Sequence, residues 1–250
     1  MLIHNPSGNF SFIAGIGPFS FGCVADKGYE VLHVTLKPLL ALWPGLDAIE
    51  RYLNGLGRPL NALCGLELRI PEPLSAEGFN RFNQPYQEKL ARWKLYLNGR
   101  NPVARTNVAD AAAPVKEPSV FGFSYTVVTS NSETTFVLAG APEVRRSESG
   151  ESQIVALGDT SRHAMSQKAE FVMQVVGARL KEMDVRWSDA THVGVYTVHD
   201  IHPLIESTIA PAINGASRYG VCWYYARPPV VDFDFELDAR GVRREEFLKP

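Results

Sequence analysis

The sequence predicts an α+β chain of two successive units, residues 1–118 and 119–250, each a mixed β-sheet backed by helices. Three observations predict it. Strand-prone runs and amphipathic helical stretches alternate in an order that can be read twice along the 250 residues. Two segments of the first half have counterparts in the second: GLELRIPEP, starting at Gly65, beside GVYTVHDIHP, starting at Gly194, and VARTNV around Arg105 beside ASRYGV around Arg218. The composition, 45% hydrophobic and 21% charged, is that of an ordinary globular chain with ample core for two units.

In the first unit, residues 10–25 (FSFIAGIGPFSFGCVA) read as one or two short strands with tight turns, and 30–36 (EVLHVTL) as another strand. Leu46, Ile49, Tyr52, Leu53 and Leu56 then mark one helix face, stopped by Gly57 and Pro59. LCGLELRI at 63–70 reads as a buried strand. Phe79, Phe82, Tyr86, Leu90 and Trp93 give helical spacing over 78–97, with Pro85 splitting or kinking it. VARTNV at 103–108 is extended, and 109–118 is a Pro-rich loop.

In the second unit, 120–128 and 135–139 read as a hairpin around Ser130, Asn131 and Ser132. The charged stretch 143–152 reads as a loop. The strongest helix follows, N-capped by Asp159, Thr160 or Ser161, with Ala164, Phe171, Val172, Val175, Val176, Leu180 and Met183 as its apolar face and Gln167, Lys168, Arg179, Lys181 and Glu182 as its polar one. A strand at 191–198 and a short helical piece at 202–213 lead to residues 216–241. There an aromatic run, Tyr219 to Tyr225, precedes a Pro-Pro break and then strict alternation: Phe233 and Phe235 on one face, Asp232, Asp234 and Glu236 on the other. Arg218 heads that run. A guanidinium grips a carboxylate ligand in two places, and a crowded carboxylate with a raised pKa moves protons. The same pairing is also the pattern of a surface ion pair between strands.

A net charge of −2 excludes nucleic acid and anionic membrane as main partners, because both select a basic surface. No apolar run approaches membrane-span length. MLIHNPSGNF lacks the pattern of a secretory signal, and Cys23, Cys64 and Cys222 are scattered and in no metal spacing, so a cytoplasmic protein with reduced thiols is expected. His199 and His202 are three apart beside Pro203 with no third ligand nearby, so no metal site is expected.

Taken in order, these segments resemble the RidA (YjgF-type) imine deaminases. FVLAGAPEV stands where that family has a Ser-Gly-Gln-Ile-Pro type turn. The run from Ala164 to Ile201 is similar to its long helix and following strand, ASRYGV to its Pro-Ala-Arg motif, and FDFELDA to its terminal Ile-Glu-Ile-Glu-Ala strand. GIGPFSFG, FNQPY and PVARTNV give the first half the look of a more divergent copy. The resemblance implies RidA-like (chorismate-mutase-like) units packed into trimeric barrels, hence a homotrimer or hexamer, with clefts between units. It also implies hydrolytic deamination of a small unsaturated amino or imino carboxylate, of 2-aminoacrylate or aminomuconate type, without cofactor. Substrate binding would fall to Arg218, Arg105, Gly140 and Asn83, with Tyr86 beside Asn83, and catalysis to Glu236 and Asp234. The first copy offers no acid at the terminal-strand position, so the halves look complementary. Two other readings stand beside this one: a chorismatase-like enzyme on the same scaffold, and a non-catalytic protein that binds a small carboxylate.

Overall fold

The computed structural model describes residues 2–146 and 152–249. The strands are β1 (Leu2–Asn5), β2 (Phe10–Ile13), β3 (Gly22–Ala25), β4 (Tyr29–Ala41), β5 (Leu63–Arg69), β6 (Ala104–Asp110), β7 (Ser119–Val128), β8 (Phe136–Pro142), β9 (Val144–Arg146), β10 (Ser152–Ile154), β11 (His192–Thr197), β12 (Cys222–Arg227), β13 (Glu236–Gly241) and β14 (Arg244–Leu248). The long helices are α1 (Leu42–Gly55), α2 (Ala76–Arg92) and α3 (Arg162–Glu182), and residues 202–219 form a series of short helical turns. No helix among the described residues is long and apolar enough to cross a membrane.

Twelve strands make one mixed sheet in the order β1-β2-β3-β8-β13-β11-β12-β6-β5-β7-β4-β14. Two four-stranded stretches in it are paired alike. In β6-β5-β7-β4, β5 runs parallel to β6 and antiparallel to β7, and β7 antiparallel to β4. In β12-β11-β13-β8, β11 runs parallel to β12 and antiparallel to β13, and β13 antiparallel to β8. The two stretches join through a short antiparallel contact of β12 with β6, Ala226 opposite Asp110.

Each stretch has its own core. Leu46, Ile49 and Leu53 of α1 and Tyr86 and Leu90 of α2 pack on Leu66, Leu68 and Phe123. Val172, Val176 and Leu180 of α3 pack on Leu138, Val195, Phe235 and Leu237. A third cluster, with Phe10, Phe12, Cys23, Val31 and Cys64, ties the β2–β3 hairpin to the first stretch. Of the three N-cap residues expected for α3, Ser161 makes the cap, its hydroxyl accepting from the Ala164 amide at 3.3 Å; on α2 the Ser75 hydroxyl accepts from the Gly78 amide at 3.0 Å.

Several expectations are corrected. Pro85 neither splits nor ends α2, which runs through it, because Asn83, Tyr86 and Leu90 are buried on the far side and hold the helix down. Strands β7 and β8 do not form a hairpin; each joins a different four-stranded stretch, and 129–135 crosses between them. Lys168 is fully buried rather than on the polar face of α3. Of the loop at 143–152, residues 147–151 lie outside the described residues, and its flanks pair as β9 and β10. Strand β13 starts only at Glu236. Asp232 has φ +73° and Asp234 precedes the strand, so the alternating face carries Glu236 and Asp238 instead. The strands on either side of the Pro-Pro break are not neighbours either; β12 and β13 flank β11.

Candidate active site

Alternation along two strands builds the site. On β13, Leu237 and Ala239 turn toward α3, so Glu236 and Asp238 point to the opposite face. On β6, Arg105 points toward α2 and Thr106 the other way. The Thr106 hydroxyl donates to Asp238 Oδ2 at 2.7 Å and accepts from the Gly140 amide at 3.1 Å, which ties β6 to β8 and β13. Across that tie Arg105 of one stretch and Glu236 of the other act on each other electrostatically.

Arg105 is 2% exposed. Its Nη2 donates to Asn83 Oδ1 at 2.6 Å, while Nε and Nη1 make no hydrogen bond of good geometry among the described residues, with the Tyr86 hydroxyl close enough to interact. Isolating a guanidinium from water costs several kcal/mol, and burial accordingly lowers its pKa. Aromatic faces offset part of that cost, at about 0.5–2 kcal/mol each. Tyr86 lies 4.7 Å from the guanidinium carbon, Phe19 5.1 Å, Phe79 5.8 Å and Phe82 5.9 Å. The Tyr86 phenol is pushed up to about 12 by burial, with Arg105 beside it pulling the other way. Open donors on a buried, planar cation are a receptacle for a carboxylate.

Glu236 is 3% exposed and its Oε2 has no hydrogen-bond partner among the described residues. Burial, reinforced by Asp238 and Glu143, raises its carboxyl well above the usual range; Arg179 and Arg105 pull it down. Gly140 makes the position possible, because a Cβ there would collide with Glu236 Oε1. The Gly140 amide is spent on Thr106, so this glycine serves by its missing side chain. Asp238 is pushed up to about 7 by burial and by Glu67, and it accepts from the Tyr196 hydroxyl at 3.0 Å. Gly194 makes the matching room for Asp238. A cavity of about 10 Å³, one water across, lies behind Arg105 between Thr106, Ser124, Asp238 and Arg240.

A buried lattice fixes the start of β13. Glu143 accepts from the Asp234 amide at 2.6 Å and the Phe235 amide at 3.2 Å, and pairs with Lys168 Nζ at 3.3 Å. Lys168 also holds the Asp234 carboxylate at 2.8 Å, and His199 Nε2 lies 3.3 Å from it.

The structure therefore brings Arg105, Asn83, Gly140 and Glu236 together. It does not bring in Asp234, which is bound to Lys168, or Arg218, which is exposed in the turn 214–219. Arg218 precedes β12 and Arg105 begins β6, and these strands run antiparallel, so the two arginines lie toward opposite ends of that pairing. Sequence reasoning missed Asp238, Thr106, Glu143 and Lys168. Asp238 had a signal: the alternation through Glu236 continues to it, and Glu-Leu-Asp-Ala matches the terminal-strand motif without a gap. A cavity of about 1150 Å³ at the C-terminal end of α3, lined by Lys181, Arg186, Trp187 and Arg243 among others, contains none of the site residues named above.

Comparison with known proteins gives three findings. A family profile described as "2-aminomuconate deaminase CnbZ" matches residues 2–246. A 2-amino-5-chloromuconate deaminase of Comamonas testosteroni is 36% identical over 244 residues, 96% of each chain. Among solved structures, a chorismatase aligns over 96% of this chain and 79% of its own at 12% identity and TM-score 0.45. A Rid-family protein of unknown function, YyfB from Yersinia pestis, aligns over 47% and 84% at 18% identity and TM-score 0.31. Likenesses of that level assign no function.

Proposed function

The chain belongs to the 2-aminomuconate deaminase family CnbZ, and from that premise we propose that it hydrolyses a 2-amino-2-enoate of aminomuconate type to the 2-oxo acid and ammonia, in the cleft between Arg105 and Glu236. The observation that carries the reading is the buried Arg105 guanidinium with Nε and Nη1 open beside Asn83 and Glu236. The substrate carboxylate binds at the open side of that guanidinium. Glu236, held neutral by its surroundings, gives its proton to the enamine carbon next to the amine-bearing carbon, and the C=C–N unit becomes C–C=N. As a carboxylate it then takes a proton from water attacking the C=N carbon. The carbinolamine collapses with loss of ammonia and formation of the C=O bond. One water is consumed, and no electron changes hands.

Within the same reading the chain carries two RidA-like units, supported by the identical pairing of β6-β5-β7-β4 and β12-β11-β13-β8; because β7 (Ser119–Val128) pairs within the first stretch, the first unit ends after β7 and not at residue 118. A trimer or hexamer of the chain is proposed as its assembly. The exposed aromatic face of β12, with Trp223 and Tyr225, supplies a surface for it. The protein works in the cytoplasm.

Ammonia release from freshly generated 2-aminomuconate tests the activity. Glu236→Gln fills the same space but cannot exchange a proton, so kcat should fall about 10²–10⁴-fold with ligand binding retained. Unchanged turnover in that variant would remove Glu236 from the chemistry.

A further inference from the structure

We propose that Asn107 of β6 is a further substrate-binding residue, whose side-chain amide takes the amino group next to the carboxylate held by Arg105. This assignment deepens the reading of the cleft around Arg105 as the deaminase site and rests on it.

Strand register sets Asn107 beside Arg105. In the parallel pairing of β5 with β6, Leu66 faces Arg105 and Leu68 faces Asn107. Both leucines belong to the core under α1 and α2, so both β6 residues project to the helix side. Thr106 and Val108 go the other way: Thr106 bonds Asp238, and Val108 packs with Tyr196. Two residues along a strand advance about 7 Å. Because α2 links two parallel strands, it runs back against them, and the step from Arg105 to Asn107 leads from Asn83 toward the start of that helix. There the chain that leads into β13 crosses, with the Leu74 amide donating to Pro229 O at 2.8 Å and the Val231 amide to Leu74 O at 2.9 Å. Asn107 therefore stands on the Arg105 side of β6, one step nearer that crossing.

What marks Asn107 is an unmet hydrogen-bonding demand. It is 3% exposed, yet neither its Oδ1 nor its Nδ2 has a hydrogen-bond partner among the described residues. A buried amide left in that state lowers stability and calls for a partner from outside the chain. Asn83 differs: its Oδ1 accepts from Arg105 Nη2, and only its Nδ2 is open. Arg105 and Asn83 thus offer a ligand donors alone, which suit a carboxylate. An amine on the adjacent carbon brings N–H groups and needs an acceptor. Asn107 supplies it, and because both of its amide atoms are open, it does so in either orientation of the amide. Donors at Arg105 with an acceptor one strand step away match a carboxylate that carries an amino group on the next carbon.

The test uses pyrrole-2-carboxylate and thiophene-2-carboxylate, two planar rings with the carboxylate next to an N–H in one and to sulfur in the other. Neither can release ammonia, so titration calorimetry on the full chain reads binding without turnover. The wild type should bind the pyrrole acid about five- to a hundredfold more tightly, the range for a buried acceptor left unpaired. Asn107→Leu, close in volume and without the amide, should erase that preference while its affinity for the thiophene acid stays within about twofold. Its melting temperature should not fall, because no hydrogen bond within the chain is lost; an asparagine that served only the fold would lower it with the preference intact. Asn107→Ala should erase the preference as well and covers any misfolding of the leucine variant. Arg105→Met should weaken both ligands by about tenfold or more. A wild type without preference, a wild type that binds neither ligand, or a preference kept in both Asn107 variants would overturn the proposal. A preference that vanishes with Asn107 in a chain that releases no ammonia from 2-aminomuconate would keep the amine contact and sink the deaminase.

Discussion

The two four-stranded stretches are wired alike, yet matching rungs carry different chemistry. Gly65 faces Ala104 on β6 and Ser124 on β7, and Gly194 faces Cys222 on β12 and Asp238 on β13. One rung further, Leu66 faces Arg105 whereas Val195 faces Trp223. On the next, Glu67 faces Gly122 whereas Tyr196 faces Glu236. The cation stands on the first stretch and the acid on the second, each opposite an uncharged counterpart. They meet only because Thr106 ties β6 to β8 and β13. A buried charge is expensive alone, and Arg105 keeps its own with Asn83 and the Tyr86 ring of the same half beside it.

The largest expected effect concerns what holds the acid in place. Lys168→Met leaves Glu143 buried without its cation, and loss of one partner of a buried pair costs about 3–5 kcal/mol. The corresponding surface pair on α2, Lys89 with Asp47, is exposed enough that Lys89→Met should cost no more than about 1 kcal/mol. Urea unfolding of the two variants compares them. Similar losses would mean that the lattice around β13 does not carry the difference.

That lattice marks where legibility ended. The order of most strands and helices, the apolar helix faces and the cap of α3 could be read from period and capping chemistry, since those are local. Arg105, Asn83, Gly140 and Glu236 were legible through a resemblance. Their meeting was not, because it depends on which strand edges face each other. Lys168 misled for a related reason: charge placed it with Gln167 and Lys181 on the outer face, and only the carboxylates of Glu143 and Asp234, from 25 and 66 residues away, make its burial tolerable. Arg218 misled because the ASRYGV motif was aligned by its letters, whereas the ladder sets Trp223 opposite Val195 where Arg105 stands opposite Leu66.

A smaller effect sharpens the acid's side of the comparison. Gly140→Ala must push the Glu236 carboxyl aside, and a displacement near 1 Å lowers turnover by about a hundredfold. Gly55→Ala, in α1 with open space around it, should leave turnover alone and gain about 0.5–1 kcal/mol of stability. Equal activity in both variants would separate Gly140 from the site.

The pH dependence of stability distinguishes the inward acids from the inward histidines. Asp238 keeps its proton to about 7 in the folded chain, against 3.8 when unfolded, so its contribution to stability falls as pH rises across that window. His33 and His192, lowered by burial to about 4 from 6.5, act in the opposite direction, and their contribution rises with pH between those values. Melting temperatures of Asp238→Asn from pH 4 to 7 should therefore climb more steeply with pH than those of the wild type. Parallel curves would mean that Asp238 is not held protonated.

The central claim is that the working cation is Arg105 and not Arg218. The most direct measurement is kcat/KM for ammonia release from 2-aminomuconate by Arg105→Lys and Arg218→Ala. Lysine keeps the charge but loses the two-pronged geometry, so Arg105→Lys should fall about 10²–10³-fold, comparable to the loss of one well-placed donor. Arg218→Ala, altered at an exposed turn, should stay within about twofold of the wild type. The reverse pattern, with Arg105→Lys active and Arg218→Ala crippled, would contradict the account.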